Sequence, residues 1–197
     1  MHHRRSIRLP EYDYSQPNAY FVTICTFKKE CLFGEIIDGE MRLNEVGMIV
    51  KNTWDELIEH FPFIETDEFV IMPNHFHGII CIHDPVGAGF PRPDSVSRPN
   101  HSDVFALDGA NRAIPSVDGA GEGEKTGEGG GTPPLRKKCT LGQIVAYLKY
   151  ESTKQINKIR EMPGIRLWQR NYYEHIIRSD RELDAIRRYI VENPLKW

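Results

Sequence analysis

The chain has 197 residues, 40% hydrophobic and 27% charged, with a formal net charge of −3. These are the proportions of a soluble globular chain long enough to bury one core, and no run approaches the ~20 apolar residues that span a bilayer. The basic start, MHHRRSIRLPEYDYS, has no apolar segment behind it, so no secretory signal is read and a cytoplasmic protein is expected. Cys25, Cys31, Cys81 and Cys139 form no CxxC pair. That spacing argues against a cysteine-based zinc site and for reduced thiols.

Charge is unevenly shared. Residues 1–83 are net acidic apart from the cluster Arg4, Arg5 and Arg8, whereas residues 135–197 hold twice as many basic as acidic side chains. A polyanion responds to the local field, so the overall charge does not exclude a nucleic-acid partner.

In chain order, AYFVTICTF (19–27) predicts a strand of β-branched and aromatic residues. CLFGEIIDGEMRLN (31–44) predicts a hairpin turning near Asp38-Gly39. Asn44 is a suitable N-cap for a helix over 45–61 with apolar positions Val46, Ile49, Val50, Trp54, Leu57 and Ile58. EFVIMP and HFHGIICIH predict two strands meeting near Pro73-Asn74. Residues 84–134 hold ten of the sixteen glycines and no sustained periodicity. They predict a disordered Gly/Pro-rich insertion within a single 1–197 domain. Thr140 opens a helix through about Ile159, residues 167–177 read as short and extended or irregular, and Ser179 with Glu182 predicts a capping box before a helix that stops ahead of Asn193-Pro194. The order implies an α+β fold: a ferredoxin-like sandwich with a mainly antiparallel sheet and helices packed on one face.

The stretch MPNHFHGII raises the chemical question. Successive strand side chains alternate faces, so His75 and His77 share one face and Phe76 takes the other. Two imidazoles make half a divalent metal site, and the remaining donors must come from elsewhere. The alternative is a half-polar strand that happens to carry two histidines. In the last helix, Tyr189 and Asn193 are four apart and share a face. Asn193 offers a carbonyl oxygen to a metal, and Tyr189 a hydroxyl to a phosphate held there, activated by the cation. Spacing alone leaves Tyr150 as a rival, with Tyr147, Tyr172 and Tyr173 further candidates. Asn-Pro is also a common helix stop, and a helix tyrosine commonly packs on a sheet.

The His-hydrophobic-His strand, LWQRNYYEHIIR, the ending RRYIVENPLKW and the opening RRSIRLPEYDYSQPNAYFVTICT resemble the REP-associated tyrosine transposases, which are single-tyrosine HUH transposases of the insertion-sequence type. The likeness spans the chain except 84–134. It implies a ferredoxin-like core, a Mg²⁺ or Mn²⁺ ion held by His75, His77 and Asn193, and Tyr189 as the catalytic residue. It further implies cleavage and rejoining of single-stranded DNA at a REP-like hairpin through a 5′-phosphotyrosine link. No membrane partner is expected, and the assembly is a monomer or homodimer. Candidate DNA contacts are Arg4, Arg5, Lys149, Lys154, Trp168, Gln169, Arg170, Tyr172, Arg178 and Arg188, since cations meet phosphates and exposed rings stack on unpaired bases. Lys158, Arg187, Tyr173, His175 and the basic run 136–138 are secondary candidates. The competing readings are a non-catalytic single-stranded nucleic-acid binder derived from a transposase, and a metal-dependent hydrolase using water.

Overall fold

The computed structural model describes residues 11–84 and 139–197. Arg4, Arg5, the run 136–138 and all but Asp84 of the expected insertion lie outside the described residues.

Strand β1 (Asn18–Cys25) is followed by a hairpin of β2 (Gly34–Ile37) and β3 (Glu40–Leu43). The hairpin turns at Asp38 (φ 53°) and Gly39 (φ 79°), the two left-handed positions that a tight right-twisted hairpin turn requires. Helix α1 (Glu45–Asp55) starts where the Asn44 side chain accepts the Gly47 N–H at 3.0 Å. The helix expected over 45–61 is interrupted at Glu56 and resumes as the short α2 (Leu57–His60). Strands β4 (Ile64–Met72) and β5 (His75–Ile82) then turn about Pro73-Asn74, as the sequence predicts. Helix α3 (Leu141–Ile159) carries a full capping box of Thr140 and Gln143. Strand β6 (Tyr173–Ile177) and helix α4 (Asp180–Val191) close the chain, with a 3₁₀ turn over Asn193–Lys196. Within 167–177, only Tyr173–Ile177 is a full strand; Trp168 makes a lone bridge to Thr26.

The main sheet has the order β4-β5-β1-β6 with every pairing antiparallel. Two strand–helix–strand crossovers, β1 to β4 through α1 and β5 to β6 through α3, each skip one strand. That is the split βαβ arrangement of the ferredoxin-like fold, with the β2–β3 hairpin inserted after β1. The fold class is therefore the expected α+β sandwich.

One detail differs. Helices α1 and α3 bury Trp54, Val50, Ile144 and Leu148 against Tyr20, Val22, Phe76 and Ile80. Helix α4 covers the opposite face, where Ile190 packs with Phe21, Ile79 and Ile177. The helices therefore occupy both faces, not one. The reason lies in the alternation of β1: Phe21 is apolar between Tyr20 and Val22, so both sides of the central strand need cover.

Phe76 is fully buried, 4.7 Å from the Trp54 ring centroid and 6.1 Å from Phe69. Gly78, two residues on, faces the same aromatic layer. A Cβ there would lie 2.7 Å from Trp54 Cη2 and 2.8 Å from the Phe76 ring. Gly78→Ala is expected to lower stability by about 1–3 kcal/mol through overpacking, read as a reduced urea midpoint with unchanged m value. An unchanged midpoint would show that the Trp54 layer yields freely.

Candidate catalytic and metal centre

Antiparallel pairing of β5 with β1 sets Thr23 opposite His77 and Cys25 opposite His75. Both imidazoles therefore stand on the face that α4 covers, with ring centroids 4.6 Å apart. His77 is 4% exposed. Its Nδ1 lies 2.8 Å from Thr23 Oγ1, and its ring stacks on Phe21 at 5.4 Å. His75 Nδ1 lies 2.7 Å from Asn74 Oδ1. An amide oxygen only accepts, so His75 Nδ1 carries the proton and Nε2 keeps its lone pair. Each histidine is thus oriented through Nδ1 by a polar neighbour, the pattern that presents Nε2 to a metal.

Burial, with the neighbouring His75, pushes the His77 pKa down to about 3. Burial and then the nearby Lys29 lower that of His75. Both rings are therefore neutral near pH 7, the form in which imidazole ligates.

Helix α4 brings Tyr189 to the same place. Its apolar stripe, half-buried Leu183 and Ile186 and buried Ile190, packs on the sheet, and Tyr189 sits at the edge of that stripe, 43% exposed. Its hydroxyl lies 3.5 Å from His77 Nε2 and its ring 5.3 Å from the imidazole centroid. The helix is held at its start by Ser179 Oγ, which accepts the Glu182 N–H. The expected capping box is only half formed. The Glu182 carboxylate instead accepts the Arg178 N–H and pairs with His175 Nε2, both at 2.7 Å. Further along α4, Arg187 is clamped by Asp67 of β4. Asn193 is buried in the 3₁₀ turn that leads to Trp197, whose ring tilts over His75 at 5.9 Å.

The rival tyrosines lie elsewhere. Tyr147 stacks on His60 at 3.9 Å, and Tyr150 is exposed beside Lys154; both belong to α3, on the far side of the sheet. Tyr172 packs into that same far core. Tyr173 is the one rival on the histidine face, opposite Thr23 in β6.

Among the expected DNA contacts, Trp168 is 3% exposed and donates Nε1–H to Ser152 Oγ at 3.0 Å. Its ring is core and out of reach of a base. Lys149 gives its ammonium protons to the carbonyls of Gln169 (2.6 Å) and Arg170 (3.0 Å). It fastens that loop to α3 rather than facing solvent, and burial lowers its pKa. Gln169 donates its backbone N–H to Cys25 O at 2.9 Å, beside the end of β1. Lys154 pairs with Glu151, while Arg170, Arg178 and Arg188 are exposed.

Residues that pattern reading passed over include Thr23, Phe21, Asn74, Lys29 and Trp197. Thr23 and Phe21 were within reach of a register argument, because pairing the centre of β1 with HFHG sets them beside His77. Lys28 and Lys29 both have left-handed backbone (φ 58°), a conformation that costs about 1–3 kcal/mol per non-glycine residue. No sequence signal announces it.

Among the described residues, no group of three or more His, Cys, Asp or Glu side chains is placed to hold a metal ion. The two neutral imidazoles fit part of an open site whose remaining positions would take oxygen donors. Also among the described residues, no helix is long and apolar enough to cross a membrane.

The fold is shared with a transposase of known structure. The chain aligns over 100% of its length, and over 73% of the other chain, with the structure of a REP-associated tyrosine transposase bound to a REP hairpin, at TM-score 0.51 and 14% identity. It belongs to the same family as a Haemophilus influenzae protein described as uncharacterized, to which it is 39% identical over 197 residues, covering all of this chain and 91% of that protein. No family model matches the chain.

The depressed His77 pKa makes a stability prediction. The folded state holds this ring neutral to about pH 3, whereas the unfolded chain protonates it near 6.5. The unfolded state binds more protons below that point, so the contribution is present above pH 6.5 and is lost as pH falls. Without metal, a His77→Gln variant should lose about 2 kcal/mol less than wild type between pH 7.5 and 5 in urea titrations. Equal losses would mean that the ring protonates in place.

Proposed function

We propose that this protein is a metal-dependent tyrosine DNA transposase of the single-tyrosine HUH type, cutting and rejoining single-stranded DNA at hairpin sites. The observation that carries the reading is the 3.5 Å approach of Tyr189 Oη to His77 Nε2, between residues 112 apart in sequence. Packing alone does not require it, since Tyr189 remains 43% exposed. The known transposase of like fold was solved on a REP hairpin, and a hairpin with single-stranded flanks is the substrate class we assign.

His75 and His77 would hold a Mg²⁺ or Mn²⁺ ion, with Asn193 as a further protein donor. When bound, the ion supplies positive charge that polarises the scissile phosphodiester. Thr23 and Asn74 keep the imidazoles turned for that task. Tyr189 Oη attacks phosphorus, an O–P bond forms, and the bond from phosphorus to the 3′ oxygen breaks. The phenolic proton passes through solvent to the departing 3′ oxygen, which leaves as a 3′ hydroxyl. The 5′-phosphotyrosine link conserves the bond energy, so a second 3′ hydroxyl can reverse the step and join strands. Exposure of Tyr189 suits both halves, because each incoming strand must reach it. Arg170, Arg178 and Arg188 supply exposed positive charge for the phosphate backbone.

Incubation of the full chain with Mn²⁺ and an end-labelled hairpin oligonucleotide should yield a band that survives denaturation. Tyr189→Phe should reduce it at least about a thousandfold, the scale of losing a nucleophile. His75→Ala with His77→Ala should abolish it and chelation should prevent it. Retention of the band in Tyr189→Phe would transfer the role to another residue, Tyr173 being on the same face. Turnover without a band would favour hydrolysis by water.

A further inference from the structure

The histidine pair sits inside a continuous run of rings whose two ends are open to solvent. Tyr173 meets Phe21 at 6.5 Å, edge to face; Phe21 stacks on His77 at 5.4 Å; His77 meets His75 at 4.6 Å; and His75 lies 5.9 Å from Trp197. The inner members are buried or half-buried, whereas Tyr173 is 47% and Trp197 55% exposed. The two end rings reach their places by different routes. Tyr173 projects from β6, held by pairing with Thr23. Trp197 follows the 3₁₀ turn after α4, where Lys196 is tied back to Glu192 at 2.9 Å.

An exposed tryptophan and tyrosine carry apolar area that water solvates poorly. Trp197 adjoins His75, and Tyr173 is one ring, Phe21, away from His77, so the rings flank two imidazoles rather than an apolar groove and a protein helix has little to bury there. Unpaired bases fit better, because each has a flat π face and leaves its phosphate free to meet the centre between the two rings.

We propose that Tyr173 and Trp197 are the base-stacking positions that bracket the reaction centre, each taking an unpaired base of the strand on one side of the scissile phosphate. The inference rests on the nucleic-acid part of the reading above. It makes the two rings positioning residues, which determine which phosphate lies at Tyr189. It also replaces Trp168 and Tyr172 as the aromatic contacts of the strand.

Intrinsic fluorescence gives a direct readout, because Trp54 and Trp168 are buried at 1% and 3% exposure while Trp197 is open. In the full chain carrying Tyr189→Phe, which binds without cutting, a hairpin with single-stranded flanks should quench the emission. A blunt hairpin should quench it much less. Trp197→Phe should remove the quench while keeping affinity within about threefold, and Trp197→Ala or Tyr173→Ala should weaken binding about 5- to 150-fold, the range for losing one stacked base. Tyr173→Phe should restore it. An abasic position in the flank should weaken wild-type binding but add nothing to the matching alanine variant. Full additivity, or undiminished binding in both alanine variants, would overturn the proposal. Quenching and non-additivity without a covalent adduct in wild type would uphold these stacking positions while removing the catalytic reading. An adduct without quenching would do the reverse.

Discussion

The burial of Phe76 against Trp54 is the contact on which the rest depends. A strand offers its side chains alternately to two faces. Once Phe76 is locked into the aromatic layer beneath α1, its neighbours His75 and His77 have no choice of side. The antiparallel register with β1 then decides what they meet. Thr23 falls opposite His77, and Phe21 lies under its ring. Slipping the register by one residue would send both imidazoles into the core beneath α1 and Phe76 to the face that α4 covers. Gly78 belongs to the same constraint, because the Trp54 ring occupies the space that any side chain there would need.

The second face is built to a different rule. It has apolar cover, yet a hydroxyl stands beside the histidines. Helix α4 supplies both by presenting Ile186 and Ile190 to the sheet at a four-residue interval, with Tyr189 rotated to the margin. Its rotation is set by polar contacts rather than by apolar packing alone. The Arg187–Asp67 pair ties its middle to β4, and Ser179 and Glu182 organise its start. The half-formed capping box is part of this economy, since Glu182 spends its oxygens on the Arg178 backbone and His175, joining α4 to β6.

Much of this was legible in the residue order. Alternation in HFHGII predicts the shared face of His75 and His77, the Asp38-Gly39 turn predicts the hairpin, and Thr140 and Ser179 mark their helices. Helical spacing suggested pairing Tyr189 with Asn193, yet α4 ends at Val191 and Asn193 falls in the 3₁₀ turn beyond it; choosing Tyr189 over Tyr150 did not follow from spacing either. Both are helix tyrosines, and only the topology puts α3 and α4 on opposite faces. Trp168 shows the same limit from the other side. Its ring was equally suited to a core or to a base, and the lone bridge to Thr26 with the bond to Ser152 decides for the core. Tyr172 and Tyr173 differ by one residue, hence by face, and no composition signal says which is outward. Lys149 has the charge of a phosphate contact, yet its position beside two loop carbonyls gives it a structural task.

The central claim is that His75 and His77 act together as ligands of one cation. Pulsed electron paramagnetic resonance of Mn²⁺ bound to the full chain tests it without any DNA and without any cleavage. The account predicts nitrogen couplings from two imidazoles, reduced to one in either His75→Ala or His77→Ala and to none in the double variant. A spectrum with no directly bound nitrogen, or one unchanged by either substitution, would contradict it.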